Sequence, residues 1–108
     1  MELNDITKEL YTSSQRLSKG ANELFTLAKE KAEAERDYRL ALAKEIVLLK
    51  DSGQSVTLIG DIARGNCSDL KFQRDLAEAR YTAGKELLES LQCQVSALQT
   101  ILKYQESI

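Results

Sequence analysis

The sequence contains no histidine, no proline and no tryptophan, and these absences narrow the chemistry and the architecture open to the chain. Without histidine there is no imidazole for acid–base or nucleophilic catalysis, and the Glu-x-x-His ligands of di-metal carboxylate bundles cannot be formed. Without proline, nothing forces a helix to stop or kink. We therefore expect long uninterrupted helices, no enzymatic activity, and no cofactor or metal.

Cysteine is scarce, and long apolar runs are missing. Cys67 and Cys93 lie far apart with no Cys-x-x-Cys pair, so they form no metal or redox motif and are expected to be reduced cytosolic thiols. No run of about 18 apolar residues is present, so we expect no membrane-spanning helix. Residues 1–5 lack the basic and apolar regions of a signal peptide, and we therefore expect a cytoplasmic protein.

The charges nearly cancel, and glycine is concentrated in one short window. Charged residues make up 30% of the 108 and give a net charge of -2, which is typical of a solvated surface of mixed sign. Three of the five glycines lie within 53–65, so the breaks between helices are expected there. The length suits a single domain, 1–108.

The second half of the chain carries an unbroken heptad pattern. Alternating steps of four and three residues connect ten positions, eight of them apolar or small: Leu70, Arg74, Ala77, Tyr81, Gly84, Leu88, Leu91, Val95, Leu98 and Leu102. A strand repeats every two residues, so this spacing predicts one long helix with a partner helix along one side. We expect this helix 2 to span about 67–106.

The first half has a similar pattern that weakens toward its end. Heptad-spaced apolar or small residues run through 3–27, with Ser13 and Gly20 at positions where a neighbouring helix can approach closely. We expect helix 1 to span about 3–49. Residues 40–49 are apolar on nearly every side, so this end should be buried all round and contact more than one neighbour.

The connector, 50–66, is predicted to contain a short helical segment. Gly53 suits a left-handed cap at the end of helix 1. Ser55 suits the N-cap of the short helix, and Asn66 suits the N-cap of helix 2. Two long helices joined in this way fold back antiparallel, so the predicted fold is an all-α, coiled-coil-like helical hairpin.

Arg74 is the one charged residue in the heptad pattern of helix 2. A buried arginine needs a carboxylate or several carbonyl partners. Glu45 occupies the matching position of helix 1, so we predict an Arg74–Glu45 pair that fixes the alignment of the hairpin. The alternative is that the Arg74 side chain extends past the seam into water.

Helix 2 is apolar over a wider face than one partner helix covers. Leu87, Ile101 and Ile108 repeat every seven or fourteen residues beside the heptad positions, which makes a three-in-seven face typical of bundles. We predict that a second copy covers it in a four-helix homodimer, and a docking face for a different protein is the alternative. The predicted self-association residues are Leu87, Leu91, Val95, Leu98, Ile101 and Leu102.

Two sets of polar residues are candidate partner sites. The connector offers residues for binding another protein: Thr57, Asp61, Arg64 and Asn66. The alternative is a nucleic-acid-binding accessory protein that uses basic residues near the hairpin tip: Arg36, Arg39, Arg64, Lys71 and Arg80. Acids balance bases around Arg64, which leaves no electrostatic footprint for a duplex and makes nucleic acid the weaker hypothesis.

Parts of the second half resemble a known group of proteins. Residues 56–65 (VTLIGDIARG), 74–81 (RDLAEARY) and 98–103 (LQTILK) are similar to segments of small helical proteins from phages and prophages of Gram-positive bacteria. The resemblance supplies no catalytic residues. It implies a small accessory protein in the cytoplasm of an infected bacterial cell, acting on host or phage DNA-metabolism or defence machinery.

The leading functional hypothesis is therefore a non-enzymatic, self-associating helical module for protein–protein interaction. Such a module acts by stoichiometric binding to another macromolecule. If it inhibits a host enzyme, it does so by occupying a surface. No motif identifies the partner.

Overall fold

A computed structural model describes residues 2–107, and within this range the chain forms three α-helices and no strands. They are α1 (Leu3–Asp51), α2 (Val56–Asn66) and α3 (Ser68–Glu106). The all-α class, the long helical hairpin and the short helix in its connector are thus confirmed. None of these helices is apolar enough over a sufficient length to cross a membrane.

The end of α1 confirms the predicted glycine cap. Gly53 has a φ of 82°, in the left-handed region that favours glycine. The Gly53 N–H donates to the Lys50 carbonyl at 3.1 Å, and the Gln54 N–H donates to the Leu49 carbonyl at 3.1 Å. These bonds satisfy carbonyl groups that the last turn of a helix leaves without partners.

Ser55 is the N-cap residue of α2, as predicted, although its side chain makes no capping hydrogen bond, whereas the predicted N-cap role of Asn66 is wrong. Ser55 precedes α2 without capping it through its side chain, and its hydroxyl lies 3.0 Å from the Thr57 hydroxyl. Asn66 is the last residue of α2, and its amide donates to the Glu45 carboxylate at 2.8 Å. Capping rules consider only neighbours in sequence, so they cannot include an acceptor on another helix.

Contacts divide the described chain into two compact units. The first consists of residues 2–26 and 82–107, and the second consists of Leu27–Tyr81. Each unit contains part of α1 packed antiparallel against part of α3. The single-domain assignment of 1–108 stays a prediction.

In the first unit, α1 and α3 pack through the predicted heptad positions. Ile6 and Ser13 of α1 are buried. A Cβ atom placed on Gly20 would lie 3.0 Å from Leu88 Cδ1, closer than nearly all real contacts of this kind. The missing side chain of Gly20 therefore permits the close approach that was expected at this position.

In the second unit, α2 turns back along the end of α1. Ile59 and Ala63, one helical turn apart, are buried. The hydrogen bond from Asn66 to Glu45 holds the end of α2 beside α1. α3 therefore begins close to the level of Glu45 rather than at the end of α1.

The apolar end of α1 is not buried all round, and that expectation is wrong for the single chain. α2 and α3 cover one side of residues 40–49. On the opposite side Leu40, Val47 and Leu48 are 54%, 57% and 63% exposed. Because three large apolar side chains lie together in solvent, this side of α1 is a candidate contact surface.

A substitution in α2 is expected to stabilise the fold. A Cβ atom on Gly65 would have nothing within 4 Å, and this glycine lies inside a helix with an ordinary φ. Gly65→Ala should raise the free energy of unfolding by about 0.5–1 kcal/mol, because alanine loses less backbone entropy on folding. Urea unfolding at one protein concentration measures the change. Gly53→Ala is the control, and we expect the opposite effect. It should lower the free energy of unfolding by about 1 kcal/mol or more, since φ is positive at this position.

Candidate functional site

Two matched cation–ring contacts align α1 with α3 in the second unit. Lys31 of α1 places its Nζ 4.9 Å from the centre of the Tyr81 ring on α3. Arg74 of α3 places its Cζ 4.6 Å from the centre of the Tyr38 ring on α1. Each helix supplies one cation and one ring, and such contacts contribute about 0.5–2 kcal/mol according to their burial. Sliding α3 along α1 would break both contacts together.

Arg74 pairs with carboxylates other than the predicted one. Its guanidinium lies 3.0 Å from Asp75 and 3.6 Å from Glu35. The hydrogen bond to Asp75 raises the pKa of Arg74, and the charges of Asp75 and Glu35 act in the same direction. The predicted Arg74–Glu45 pair is therefore wrong. α3 begins near the level of Glu45, so Arg74, which lies further along α3, is level with Glu35 and Tyr38 of α1.

A shallow groove of about 340 Å³ lies between α1 and α3 in the second unit. Its lining combines half-buried or buried apolar side chains with exposed carboxylates along the α1 edge: Ala34, Leu76, Ala77, Glu30, Glu33 and Asp37. Only two of the three carboxylates have an ion pair within residues 2–107. These are exposed contacts of 3.9 Å from Lys29 to Glu33 and 3.2 Å from Arg36 to Asp37. Because Arg80 lines the groove on its α3 side, the groove suits a ligand that is apolar at its centre, basic beside α1 and not basic beside α3.

The side of α1 that lines this groove continues toward the end of the helix as an apolar stripe. Leu40 and Val47 follow Glu33 at steps of seven residues, and Lys44 follows Asp37 at the same step, so they share one side of the helix. The side chains of Ala43, Lys44, Val47 and Leu48 form an open apolar surface along this stripe. We call the combined surface the α1 outer face, and its residues are Glu30, Glu33, Asp37, Leu40, Lys44, Val47 and Leu48.

The outer face was missed in the sequence, although a signal for it exists. Residues 40–49 were expected to be buried because apolar residues occur on nearly every side. The available signal is limited to Leu40 and Val47, which lie seven residues apart beside the main seam and are followed by Leu48. The other positions at this spacing hold Glu30, Glu33, Asp37 and Lys44, so the sequence carries no second apolar heptad repeat there.

The four connector residues predicted as a partner site all lie exposed on α2. Thr57, Asp61 and Arg64 share one side of the helix, and Arg64 lies 2.6 Å from Asp61 in an ion pair. Asn66 is directed elsewhere, toward Glu45 of α1. The structure therefore brings three of the four together, and a partner-binding role for them stays a prediction.

Most of the basic residues of the nucleic-acid alternative have a carboxylate beside them. Within residues 2–107, four of the five form ion pairs: Arg36 with Asp37 at 3.2 Å, Arg39 with Glu35 at 2.6 Å, Arg64 with Asp61 at 2.6 Å, and Lys71 with Asp75 at 3.7 Å. Arg80 lines the groove. Paired cations of this kind favour a surface of mixed sign over a phosphate-binding patch.

The predicted self-association residues divide into two groups in the first unit. Leu87 and Ile101 are 64% and 41% exposed. The other four are half-buried at heptad positions: Leu91, Val95, Leu98 and Leu102. Ile108, which was expected to extend the same face, lies outside the described residues. Leu87 and Ile101 thus stay open to a second molecule, and self-association through this face stays a prediction.

The remaining candidate groups are the thiols and the acidic side chains. Cys67 is buried, Cys93 is exposed, and both are free. Among residues 2–107, no group of three cysteine or acidic side chains is arranged to hold a metal ion. The groove and the α1 outer face offer apolar area edged with charge, which suits the binding of another macromolecule.

Comparison with known protein families, with curated proteins and with solved structures finds no match to this chain.

Proposed function

We propose that this chain is a non-enzymatic helical interaction module that self-associates and binds another macromolecule stoichiometrically. The observation that carries the proposal is its accessible surface, 7995 Å² for a chain of 12.1 kDa. Monomeric proteins of this mass expose about 6000 Å². The excess, about 2000 Å², is comparable to what one protomer buries in a large obligate interface, about 1000–2500 Å².

The interior of the single chain is small. Within residues 2–107, six apolar residues are buried, and Ile6 is the one large side chain that is fully buried. Thirteen large apolar side chains in this range are exposed, among them Phe25 at 75% and Phe72 at 62%. Covering such a side chain stabilises a protein by about 1.5–3 kcal/mol. A second copy that covers several of them would therefore add much to the stability of the fold.

The proposed setting is a phage or prophage of a Gram-positive bacterium. It is supported by the resemblance of residues 56–65, 74–81 and 98–103 to small helical phage proteins. In that setting the chain would be a cytoplasmic accessory protein that inhibits or modulates a host or phage macromolecule, such as a DNA-metabolism or defence component. It would do so by covering a surface of that macromolecule.

Sedimentation velocity over a range of protein concentrations tests the self-association. We expect a species of twice the 12.1 kDa chain mass at micromolar concentrations. Dilution should increase the monomer fraction, because mass action governs the equilibrium. A single 12.1 kDa species at the highest concentration would contradict the proposal.

A fluorescence-anisotropy titration with labelled duplex DNA at low salt tests the nucleic-acid alternative. We expect no binding, because most of the basic residues concerned are paired with carboxylates. Binding that weakens steeply as salt is added would instead favour the alternative, since released counterions produce that dependence.

A further inference from the structure

We propose that a second copy of this chain packs along one exposed side of α3 in the first unit, antiparallel to it, about a two-fold axis at the level of position 92. The inference rests on the proposed self-association. It adds the surface, the direction and the alignment through which the two copies bind, and the contact joins the two α3 helices.

This side of α3 consists of two adjacent rows of uncharged residues, which we call the α3 paired rows. Each row repeats every seven residues, and steps of three and four residues connect the two rows on one side of the helix. One row is large and the other is small: Leu87, Gln94 and Ile101, and Ala83, Ser90 and Ala97. All six are exposed in the single chain, Leu87 at 64% and Ile101 at 41%.

The surroundings of the paired rows also lack charge. Residues 90–102 contain no charged side chain at all, although charged residues make up 30% of the chain. A helix side that faces only water normally carries charged groups. Depletion of charge is instead typical of the centre of a protein–protein interface. The stretch therefore suits contact with another uncharged surface, and the paired rows of a second copy are such a surface.

The paired rows are complementary to themselves when two copies run in opposite directions. Residues equally far from position 92 then lie level with each other. Leu87 lies level with Ala97 of the second copy, and Ile101 lies level with Ala83 of the second copy. Each large apolar side chain thus faces a small one, which is the arrangement that lets facing layers interdigitate. Symmetry repeats both pairs, so four such layers form.

The polar layer fits the same alignment. Gln94 lies level with Ser90 of the second copy, and an amide and a hydroxyl can donate to and accept from each other. A displacement by seven residues in either direction would instead set Gln94 against Ala83 or Ala97. Its amide would then be covered without a partner, at a cost of about 1–3 kcal/mol. A polar residue in an apolar contact fixes the alignment of helices in this way.

A shallow hollow in the single chain lies where this alignment places Leu87 of the second copy. The hollow has a volume of about 300 Å³, and its lining consists of Gln94, Ala97 and Leu98 of α3 with Glu9, Ser13 and Arg16 of α1. A side chain level with Ala97 on an antiparallel helix enters the space that these α3 residues surround. Glu9 and Arg16 are exposed, so their charged groups stay in water beside the contact.

An exchange of side chains between the two rows tests the alignment. Leu87→Ala leaves the hollows unfilled, and Ala97→Leu sets leucines against each other, so each should weaken self-association about 30-fold. The double variant L87A/A97L again has one large and one small residue in each layer and should bind within about fivefold of the wild type. Sedimentation velocity measures the affinities, and circular dichroism checks folding. Additive weakening in the double variant would overturn the alignment.

The exposed thiol tests the antiparallel direction. Cys93 lies at the edge of the paired rows and one position from the axis level, so the axis brings it near Cys93 of the second copy. Bismaleimidoethane, a short thiol cross-linker, should therefore convert the wild type to a covalent dimer linked through Cys93. In the double variant C93S/Q92C the thiol points to the opposite side of α3, and the yield should fall at least about tenfold. Equal yields would contradict the proposed contact.

A charge placed in the contact separates this inference from the proposed function. Leu87→Glu should weaken self-association about 100-fold, whereas Gln92→Glu, its control on the opposite side of α3, should change it less than about threefold. A wild-type chain that stays monomeric contradicts the self-association itself. A wild-type dimer that tolerates Leu87→Glu overturns the paired-row contact, leaves the self-association intact and makes this side of α3 available to a different protein.

Discussion

Replacing Tyr38 by alanine is expected to lower the free energy of unfolding by about 3–5 kcal/mol. Tyr38 is 5% exposed, and its ring contacts α3 in the second unit. Its loss leaves a cavity and also removes the ring that Arg74 contacts at 4.6 Å. Since small domains are stable by only about 5–15 kcal/mol, this is a large fraction of the total. Urea unfolding followed by circular dichroism gives the value.

Two controls separate the buried ring from tyrosine in general. Tyr38→Phe keeps both the volume and the aromatic face of the side chain. It should therefore lower the free energy of unfolding by no more than about 1 kcal/mol. Tyr11→Ala removes a side chain that is 67% exposed and should change stability by no more than about 0.5 kcal/mol. Equal losses for the alanine variants of Tyr38 and Tyr11 would show that Tyr38 does not hold α1 and α3 together.

Ala63→Asp is expected to lower the free energy of unfolding by about 3–5 kcal/mol, or to detach α2 from the second unit. Ala63 has no exposed surface, and an ionised carboxylate at this position would be buried without a partner. Urea unfolding measures the global loss. Amide hydrogen exchange within Val56–Asn66 detects the local detachment. Ala79→Asp, on an exposed position of α3, is the matched control and should cost less than about 1 kcal/mol.

The loss caused by Ala63→Asp should depend on pH in a defined direction. Burial raises the pKa of the introduced carboxyl, so the folded state binds this proton more tightly than the unfolded state does. The free energy of unfolding of the variant should therefore be closest to that of the wild type near pH 4. The difference should grow as the pH rises through the raised pKa. A deficit that is constant between about pH 4 and pH 7 would indicate steric crowding instead of a buried charge.

Heptad spacing was sufficient to predict α3 and its packing side. From Ala77 to Leu102, all predicted positions are buried or half-buried. The reason is physical, because apolar residues that return to one side of a long helix can leave water only against a partner helix. The glycine cap at Gly53 was predictable for a similar reason, since few other residues adopt its positive φ.

The alignment of the two long helices could not be predicted in the same way. It depends on the direction of α2, which turns back along α1 and places the start of α3 near Glu45. The contact that shows this direction joins Asn66 to a residue 21 positions earlier in the chain. Spacing rules describe single helices, so the Arg74–Glu45 pair inferred from two helices ending together was wrong.

The sequence predicted that the single chain leaves an apolar surface uncovered, but it did not predict that such a surface lies on α1. Leu87 and Ile101 were expected to lie on an apolar face wider than one partner helix covers, and both are exposed, but the exposure of Leu40, Val47 and Leu48 was not foreseen. Hydropathy alone cannot separate a helix end buried by its own chain from one left for a second molecule. The difference lies in how much of the α1 circumference α2 and α3 cover, which is a property of the folded unit.

The placement of the two thiols gives this molecule a built-in reporter of local opening. Cys67 is buried at the junction between α2 and α3, whereas Cys93 is exposed on the later part of α3. A thiol reagent can therefore modify Cys93 directly but must wait for the junction to open before it reaches Cys67. When the junction closes faster than the reagent reacts, the ratio of the two labelling rates gives the fraction of molecules in which the junction is open, with the accessible thiol as internal reference.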